Sequence, residues 1–284
     1  MNSYLSICSV YRDEAPYLAE WIEFHRLVGV DRFFLYNNLS QDSHLDVLAP
    51  YLEEDVVVLH DWPEPLLPDG QRNAYNHCVE HHGAETRWLA IIDTGDNFVF
   101  SPTGRPLSRV LPEYEPWPAV GVQYLNFGNS GHRRTPPGLV TENYVHRAED
   151  PGILLVKLIV DPARVDRVLG DMRCLYTEGL AVDENKEPLA DNLYARSRSY
   201  AKLRLNHYAR KSDEELERRH ARWAELGRDR RAKSSETRER RARELNEVYD
   251  DEILPYVPAL RQALARHGAR PVEPATGRTN DVRP

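Results

Sequence analysis

Short apolar segments alternate with amphipathic segments over residues 3–93, and this alternation constrains the fold more than any other feature of the chain. Three segments are predicted to be helices because apolar residues recur at helical spacing: "RDEAPYLAEWIEFHRLVG", "SHLDVLAPYLEE" and "GQRNAYNHCVEHHG". Four short apolar segments flank them and are predicted to be buried strands: "SYLSICSVY", "VDRFFLYNN", "VVVLHDW" and "RWLAIID". Strands joined by helices of this length pair in parallel, so the sequence predicts an α/β sheet covered on both faces.

Bulk properties narrow the class of protein. The chain has 284 residues and a formal net charge of -8, which argues against general nucleic-acid binding. No apolar run approaches the roughly 20 residues that span a bilayer, and the first residues lack the basic region of a signal peptide. The three cysteines are far apart and odd in number, which predicts neither a disulfide framework nor a zinc site. We therefore expect a cytoplasmic protein without a transmembrane segment.

Three regions follow one another along the chain. Residues 1–210 are predicted to form the main α/β domain, since the strand-like segments "AVGVQYLNFGN", "ILLVKLIVD" and "AKLRLNHY" continue the sheet. Residues 211–250 are rich in Arg and Glu and are predicted to be a charged helical extension, interrupted near Gly227. Residues 251–284 are predicted to be a C-terminal helix followed by a flexible tail. The alternating charges favour a solvated helix face over an RNA-binding surface.

Two carboxylates follow the fourth predicted strand, in the stretch "WLAIIDTGDNFVF". Asp93 and Asp96 repel each other unless a cation offsets the repulsion, and Mg²⁺ or Mn²⁺ bound to a diphosphate would do so. The alternative is that "TGDN" is only a turn, because Gly, Asp and Asn all favour turns. Ligands bind beyond the carboxyl ends of parallel strands, which is where this pair lies.

Polar groups also follow the first and second predicted strands. Asp13 and Glu14 follow the first, and Asn38 and Asp42 follow the second. Acidic side chains hold ribose hydroxyls at such positions in other α/β sites. Capping of the next helix is the competing explanation, because Asp and Ser are good N-caps.

Three further histidine-bearing segments are candidates. His77 and His81 are four residues apart on the third predicted helix, which suits either a metal site or an exposed polar face. His132 lies in the Gly- and Pro-rich loop "FGNSGHRRTPPG", which is suited to binding a hydroxylated or anionic substrate. His207 closes the last predicted strand, where it is either a metal ligand or a buried partner of Tyr208.

Taken together, several segments resemble bacterial members of glycosyltransferase family 92 and the related family-2-like glycosyltransferases. "VYRDEAPYLAEWIEFHRLVGVDRFFLYNNLSQD" resembles the family's opening, "NFGNSGHRRTPPGLVTENYVHR" its F-G-S-S-G-H loop, and "LRLNHYARKSDEEL" its closing N-H-Y-x-x-K-S-x-E-E. The resemblance covers residues 3–220 and implies a GT-A fold, a UDP- or GDP-sugar donor and a D-x-D pair that binds Mn²⁺ or Mg²⁺.

The resemblance also assigns roles to residues. Asp93 matches the first aspartate of the D-x-D pair, and the second falls at Gly95 or at Asp96. His207 matches a C-terminal metal ligand, while Asp13, Glu14 and Asn38 fall in the region of the donor base and ribose. His132 falls in the acceptor loop. The chain departs from the family where "DTGDNF" replaces D-x-D-E-F and where Asn37 replaces an aspartate.

The function expected from these features is inverting, metal-assisted transfer of a sugar to a hydroxyl acceptor in a biosynthetic pathway. Glu142, just after the acceptor loop, is the expected catalytic base, with Asp150 as an alternative. A rival hypothesis is a GT-A protein with a degenerate metal site that performs a metal-independent reaction or binds a ligand without turnover. A third is a partner-binding protein that acts through its charged C-terminal helices, through which a homodimer is also expected.

Overall fold

The fold is built on a mixed sheet of eight strands. The structure is a computed structural model that describes residues 3–65, 69–150, 152, 154–170, 172–225, 240 and 243–268. The strands are β1 (Ser3–Tyr11), β2 (Arg32–Asn37), β3 (Val57–Asp61), β4 (Thr86–Ile91), β5 (Asn97–Phe100), β6 (Ala119–Asn126), β8 (Val156–Val160) and β11 (Arg204–His207). The order across the sheet is β3-β2-β1-β4-β8-β6-β11-β5.

The first half of the sheet is parallel, as the alternating pattern predicts. β1 pairs in parallel with both β2 and β4, and β2 pairs in parallel with β3. The three connecting helices are α1 (Ala15–Leu27), α2 (His44–Glu53) and α3 (Gln71–His82). Because successive side chains of a strand point to opposite faces, the sheet supports two cores. α1 and α2 pack on the core that contains Leu5 and Ile7, and α3 packs on the core that contains Cys8.

The second half of the sheet is antiparallel in part. β8 runs antiparallel to both β4 and β6, and β5 runs antiparallel to β11. β11 lies between β6 and β5, so the last strand of the sheet in the chain is an interior strand. A separate hairpin, β9 (Val165–Gly170) with β10 (Arg173–Tyr176), packs near α3. A mixed sheet flanked by helices confirms the expected α/β class.

The segments after β11 pack against this sheet domain. Short helices α4 (Leu107–Val110) and α5 (Val140–Asn143) precede them, and α6 (Asp213–Glu225) and α7 (Val257–Arg266) belong to them. β12 (Val248–Tyr249) pairs with β7 (His146–Arg147), and α7 lies against α1. The predicted helix break near Gly227 and the predicted tail lie outside the described residues. In the described part of the chain, no helix is long and apolar enough to cross a membrane.

Candidate functional site

An open cleft with a cavity volume of about 80 Å³ lies at the carboxyl ends of β1 and β11. One wall is the loop from β1 into α1, which contributes Asp13, Glu14, Pro16 and Tyr17. The other wall is the segment from Ala209 into α6, which contributes Arg210, Lys211, Glu215, Arg218, Arg219 and Arg222. Five cationic side chains therefore face three carboxyl groups, in a chain whose net charge is -8. Such a concentration of positive charge favours an anionic ligand.

Asp96 lies at the floor of this region and is only 2% exposed. Its Oδ1 accepts a hydrogen bond from Lys211 Nζ at 2.7 Å, and its Oδ2 accepts one from the Arg219 guanidinium. Burial alone would raise the pKa of Asp96, but Arg219 and Lys211 outweigh that effect and hold the pKa below its usual range. Asp96 is thus an ionised carboxylate whose two oxygens are both engaged by cations of the protein.

Asp93 and His207, the other two predicted metal ligands, also contact side chains of the protein. Asp93 Oδ2 lies 2.9 Å from Lys157 Nζ, and Lys157 extends from β8, the neighbour of β4. His207 Nδ1 lies 3.0 Å from Asn126 Oδ1. Burial lowers the pKa of His207 to about 4, in spite of the nearby Asp96 and Asp93, so its ring is neutral at pH 7.

These residues do not fit a divalent cation as they are arranged. Among the described residues, no group of three or more His, Cys, Asp or Glu side chains converges in a way that suits a metal ion. A metal ion would neutralise the negative charges of Asp93 and Asp96. Lys157, Lys211 and Arg219 already neutralise them. A lysine or arginine beside a carboxylate competes with a metal ion for the same oxygen lone pairs.

The residues predicted to hold the donor's base and ribose instead join two loops in this structure. Asp13 Oδ1 accepts a hydrogen bond from the Gln41 amide at 2.7 Å, and Asp42 Oδ2 accepts one from the Ala15 amide at 2.8 Å. Asn38 donates to the carbonyl oxygens of Trp62 and Glu64. Asp13 lines the cleft. Asn38 and Asp42 do not line it, and their hydrogen bonds fix the loops that follow the strands.

Two cleft carboxyl groups have strongly raised pKa values. Burial raises the pKa of Glu14 to about 7, with Lys211 opposing the effect. Burial likewise raises the pKa of Glu215 to about 7, opposed by the Ser212 amide. Tyr144 donates its hydroxyl to Glu215 Oε2 at 2.8 Å, while Oε1 is buried and has no hydrogen-bond partner among the described residues. A carboxyl group with a pKa near 7 is suited to taking up or releasing a proton.

The α6 side of the cleft was missed by reasoning from the sequence. The charge pattern of residues 211–250 predicts a solvated face, and Arg218 does form an exposed i,i+4 pair with Glu214. Glu215, Arg219 and Arg222, however, lie at i, i+4 and i+7 of α6, which places them together on the face toward the cleft. That spacing was the available signal.

The residues predicted to serve catalysis lie outside the cleft lining. Glu142 forms an ion pair with Arg261 of α7, and Asp150 forms one with Arg198 at 2.5 Å. His132 Nε2 lies 3.2 Å from the Asn143 carbonyl oxygen. The structure therefore brings His132 near α5 and Glu142, but it does not bring these residues to the cleft that holds Glu14 and Glu215.

His77 and His81 belong to a cluster of aromatic rings on α3 and β3. Their rings stack with centroids 4.0 Å apart, and His77 Nδ1 lies 2.9 Å from the Tyr36 hydroxyl. His60 Nε2 and His82 Nε2 are 2.9 Å apart. These contacts favour packing and hydrogen bonding as the role of the rings.

The mixed sheet and the cationic cleft at its carboxyl edge define an α/β protein with a cleft that favours an anionic ligand. Residues 2–237 match the family model described as Glycosyltransferase family 92, and the chain belongs to that family. A family 92 protein of Arabidopsis thaliana is 30% identical over 159 residues, covering 52% of this chain and 27% of the relative. One of Oryza sativa subsp. japonica is 30% identical over 151 residues, covering 52% and 25%. The chain thus spans about a quarter of the length of these curated relatives.

Three solved structures resemble part of this fold at low sequence identity. TarS of S. aureus in complex with UDP has a TM-score of 0.37 and 11% identity, covering 56% of this chain and 47% of that chain. Mannosyl-3-phosphoglycerate synthase from Rubrobacter xylanophilus has a TM-score of 0.32 and 19% identity, covering 43% and 40%. Glucosyl-3-phosphoglycerate synthase from Mycobacterium tuberculosis, in complex with Mn²⁺, UDP and glucosyl-3-phosphoglycerate, has 0.31 and 16%, covering 43% and 44%. These values are too low to transfer a residue's role.

Proposed function

We propose that this chain is a glycosyltransferase that moves a sugar from a UDP- or GDP-sugar donor to a hydroxyl group of an acceptor. Membership of glycosyltransferase family 92 supports the reaction class. The single observation that carries the site assignment is the cleft with five cationic side chains at the carboxyl edge of the sheet. A diphosphate is a compact, multiply charged anion, and arginine and lysine are the side chains that bind such groups best. We place the reaction in a cytoplasmic biosynthetic pathway.

The proposed transfer inverts the configuration of the sugar. The acceptor oxygen attacks the anomeric carbon as the bond to the diphosphate oxygen breaks, through an oxocarbenium-like transition state. The departing nucleoside diphosphate keeps the electron pair of the broken bond, and the cations of the cleft stabilise its negative charge.

Glu215 is the base that the geometry favours for the acceptor's proton. It lines the cleft, its pKa is raised to about 7, and hydrogen bonds from Tyr144 and Ser212 fix its carboxyl group. Once Glu215 is ionised, a proton moves from the acceptor hydroxyl to its carboxylate. Glu142, the base predicted from the sequence, is the alternative, and its bond to Arg261 would have to be replaced for it to act.

One observation favours a second candidate, a family 92 protein that binds its nucleotide ligand without turnover. Asp96, the predicted second metal-binding carboxylate, is held by Lys211 and Arg219. If the chemistry of metal-assisted transfer has been lost with that change, the same cleft would bind the nucleotide and release it unchanged.

A donor panel and two base variants test the proposal. UDP- and GDP-sugars are incubated with the protein and candidate hydroxyl acceptors, and released nucleotide is measured alongside calorimetric binding of UDP and GDP. We expect Glu215→Gln to lower kcat by about 10²- to 10⁴-fold while UDP affinity stays the same, and Glu142→Gln to have little effect. The reverse result would make Glu142 the base. Binding without turnover would favour the second candidate, and no binding of either nucleotide would refute both.

A further inference from the structure

Lysine and arginine side chains of the protein neutralise Asp93 and Asp96, the two carboxylates of the turn between β4 and β5. An acidic pair at this place serves a metal-dependent enzyme by holding a cation against the diphosphate. Here Lys211 and Arg219 come from the far side of the cleft and already contact Asp96. The positive charge is therefore present at the site without a metal ion.

We propose that Lys211, Arg219 and Arg222 bind the donor's diphosphate directly, in place of a divalent cation. The inference rests on the proposed function, because it concerns the same donor site. It adds the statement that nucleotide binding is independent of metal ions and depends on the segment from Lys211 through α6.

All three side chains line the cleft, and bonds to other groups of the protein fix Lys211 and Arg219 in place. Lys211 Nζ lies 4.1 Å from the centroid of the Tyr17 ring, which fixes the ammonium group by a cation–π contact. Arg219 also donates to the Ala209 carbonyl oxygen at 2.6 Å. Since Lys211 and Arg219 line the cleft while bonded to Asp96, that carboxylate fixes the two cations at the cleft floor.

Arg222 is the most exposed of these three cations. Its side chain is 35% exposed, it donates to the Asp13 carbonyl oxygen at 3.1 Å, and it lies 3.7 Å from Glu14 Oε1. A guanidinium has five N–H donors, more than these two contacts use. Its planar fork matches two oxygens of a phosphate group, which a lysine does not.

The excess of positive charge remains after the cleft carboxylates are counted. Glu14 and Glu215 have pKa values raised to about 7, so each carries only part of a negative charge near neutral pH. Lys211, Arg219 and Arg222 carry three positive charges, against one negative charge on Asp96 and the partial charge of Glu14, so this group keeps a net positive charge. A diphosphate supplies the missing negative charge, and its entry requires no further cation.

Calorimetric titration of UDP and of GDP, each with EDTA and again with Mn²⁺, tests the inference. We expect the dissociation constant of the bound nucleotide to differ by less than about threefold between the two conditions. Arg222→Gln should weaken that binding about tenfold or more, because a charge-assisted contact is lost. Arg105→Gln is the matched control, since Arg105 is exposed, pairs with Glu113 at 3.2 Å and lies outside the cleft.

The outcomes separate this inference from the proposed function. Nucleotide binding only in the presence of Mn²⁺ would overturn the inference and leave the glycosyltransferase proposal standing. Binding in EDTA that Arg222→Gln does not weaken would overturn the assignment of the diphosphate site. No binding of either nucleotide in either condition would overturn both proposals. As a readout without nucleotide, the electron paramagnetic resonance signal of free Mn²⁺ should be unchanged when the protein is added.

Discussion

Replacing Asp96 by asparagine should destabilise the folded protein strongly, because it removes the one carboxylate between two cations. Asparagine keeps the shape of the side chain and removes its charge. Asp96 is 2% exposed, and the Lys211 side chain that contacts it at 2.7 Å is 6% exposed. Removing one partner of a buried ion pair costs about 3–5 kcal/mol, because the remaining charge is left in a poorly solvated place.

The lower end of that range is the expected value here. Arg219 is more accessible than Lys211, so water can solvate its charge once Asp96 is neutral. We therefore expect a loss of about 3 kcal/mol in the free energy of unfolding at pH 7. For a protein of this size that loss lowers the melting temperature by about 6–12 °C.

Urea unfolding followed by circular dichroism measures the effect, and Asp150→Asn is the matched control. Asp150 pairs with Arg198 at 2.5 Å, but its side chain is 71% exposed, so this substitution should cost less than about 1 kcal/mol. Adding Lys211→Met to Asp96→Asn should restore part of the lost stability, because the stranded ammonium group is then removed. The reasoning fails if Asp96→Asn costs no more than Asp150→Asn, or if the effects of Asp96→Asn and Lys211→Met are additive.

Two further predictions concern the cleft. Burial raises the pKa of Glu215 from 4.5 to about 7, so between these pH values the folded state holds a proton that the unfolded chain has released. The free energy of unfolding therefore falls as pH rises from 4.5 to 7. Glu215→Gln should remove up to about 3 kcal/mol of that decrease, measured by urea unfolding across this pH range. An unchanged slope in the variant would contradict the assignment. Gly95 has φ +71°, and a Cβ there would lie 2.8 Å from Glu14 Oε2, so Gly95→Ala should cost about 1–3 kcal/mol by thermal unfolding. Gly104→Ala, with φ +73° and open space around it, should cost less, and equal costs would argue against the contact with Glu14.

The parallel half of the fold was predictable because strands that are buried on both faces are short continuous apolar segments of the sequence. β1 coincides with the predicted segment "SYLSICSVY", and α1 to α3 lie within their predicted segments. The hairpin of β9 and β10 was missed. Its strands are short, and most side chains of β9 do not face a core, so its sequence "VDRVLG" has no periodic apolar pattern.

The site was predictable only in part, because its partners are far apart in the chain. Asp96 was predicted to be a metal ligand from the turn that carries it. Lys211 and Arg219 lie 115 and 123 residues beyond it, and no local pattern connects them to Asp96. The charges of α6 were assigned to solvent since i,i+4 pairing explains Arg218, and the same explanation does not hold for Arg219.

The interior position of β11 links the order of synthesis to the order of folding. β5 directly follows the Asp93–Asp96 turn, yet among the described strands its partner is β11, which is made more than a hundred residues later. A nascent chain that ends before Arg204 therefore leaves the edge of β6 and all of β5 unpaired. Such long-range pairing slows folding, and an open strand edge invites association with other chains. Lys211 and Arg219 follow β11 in the chain, so a chain that ends before Arg204 also lacks both cations that contact Asp96.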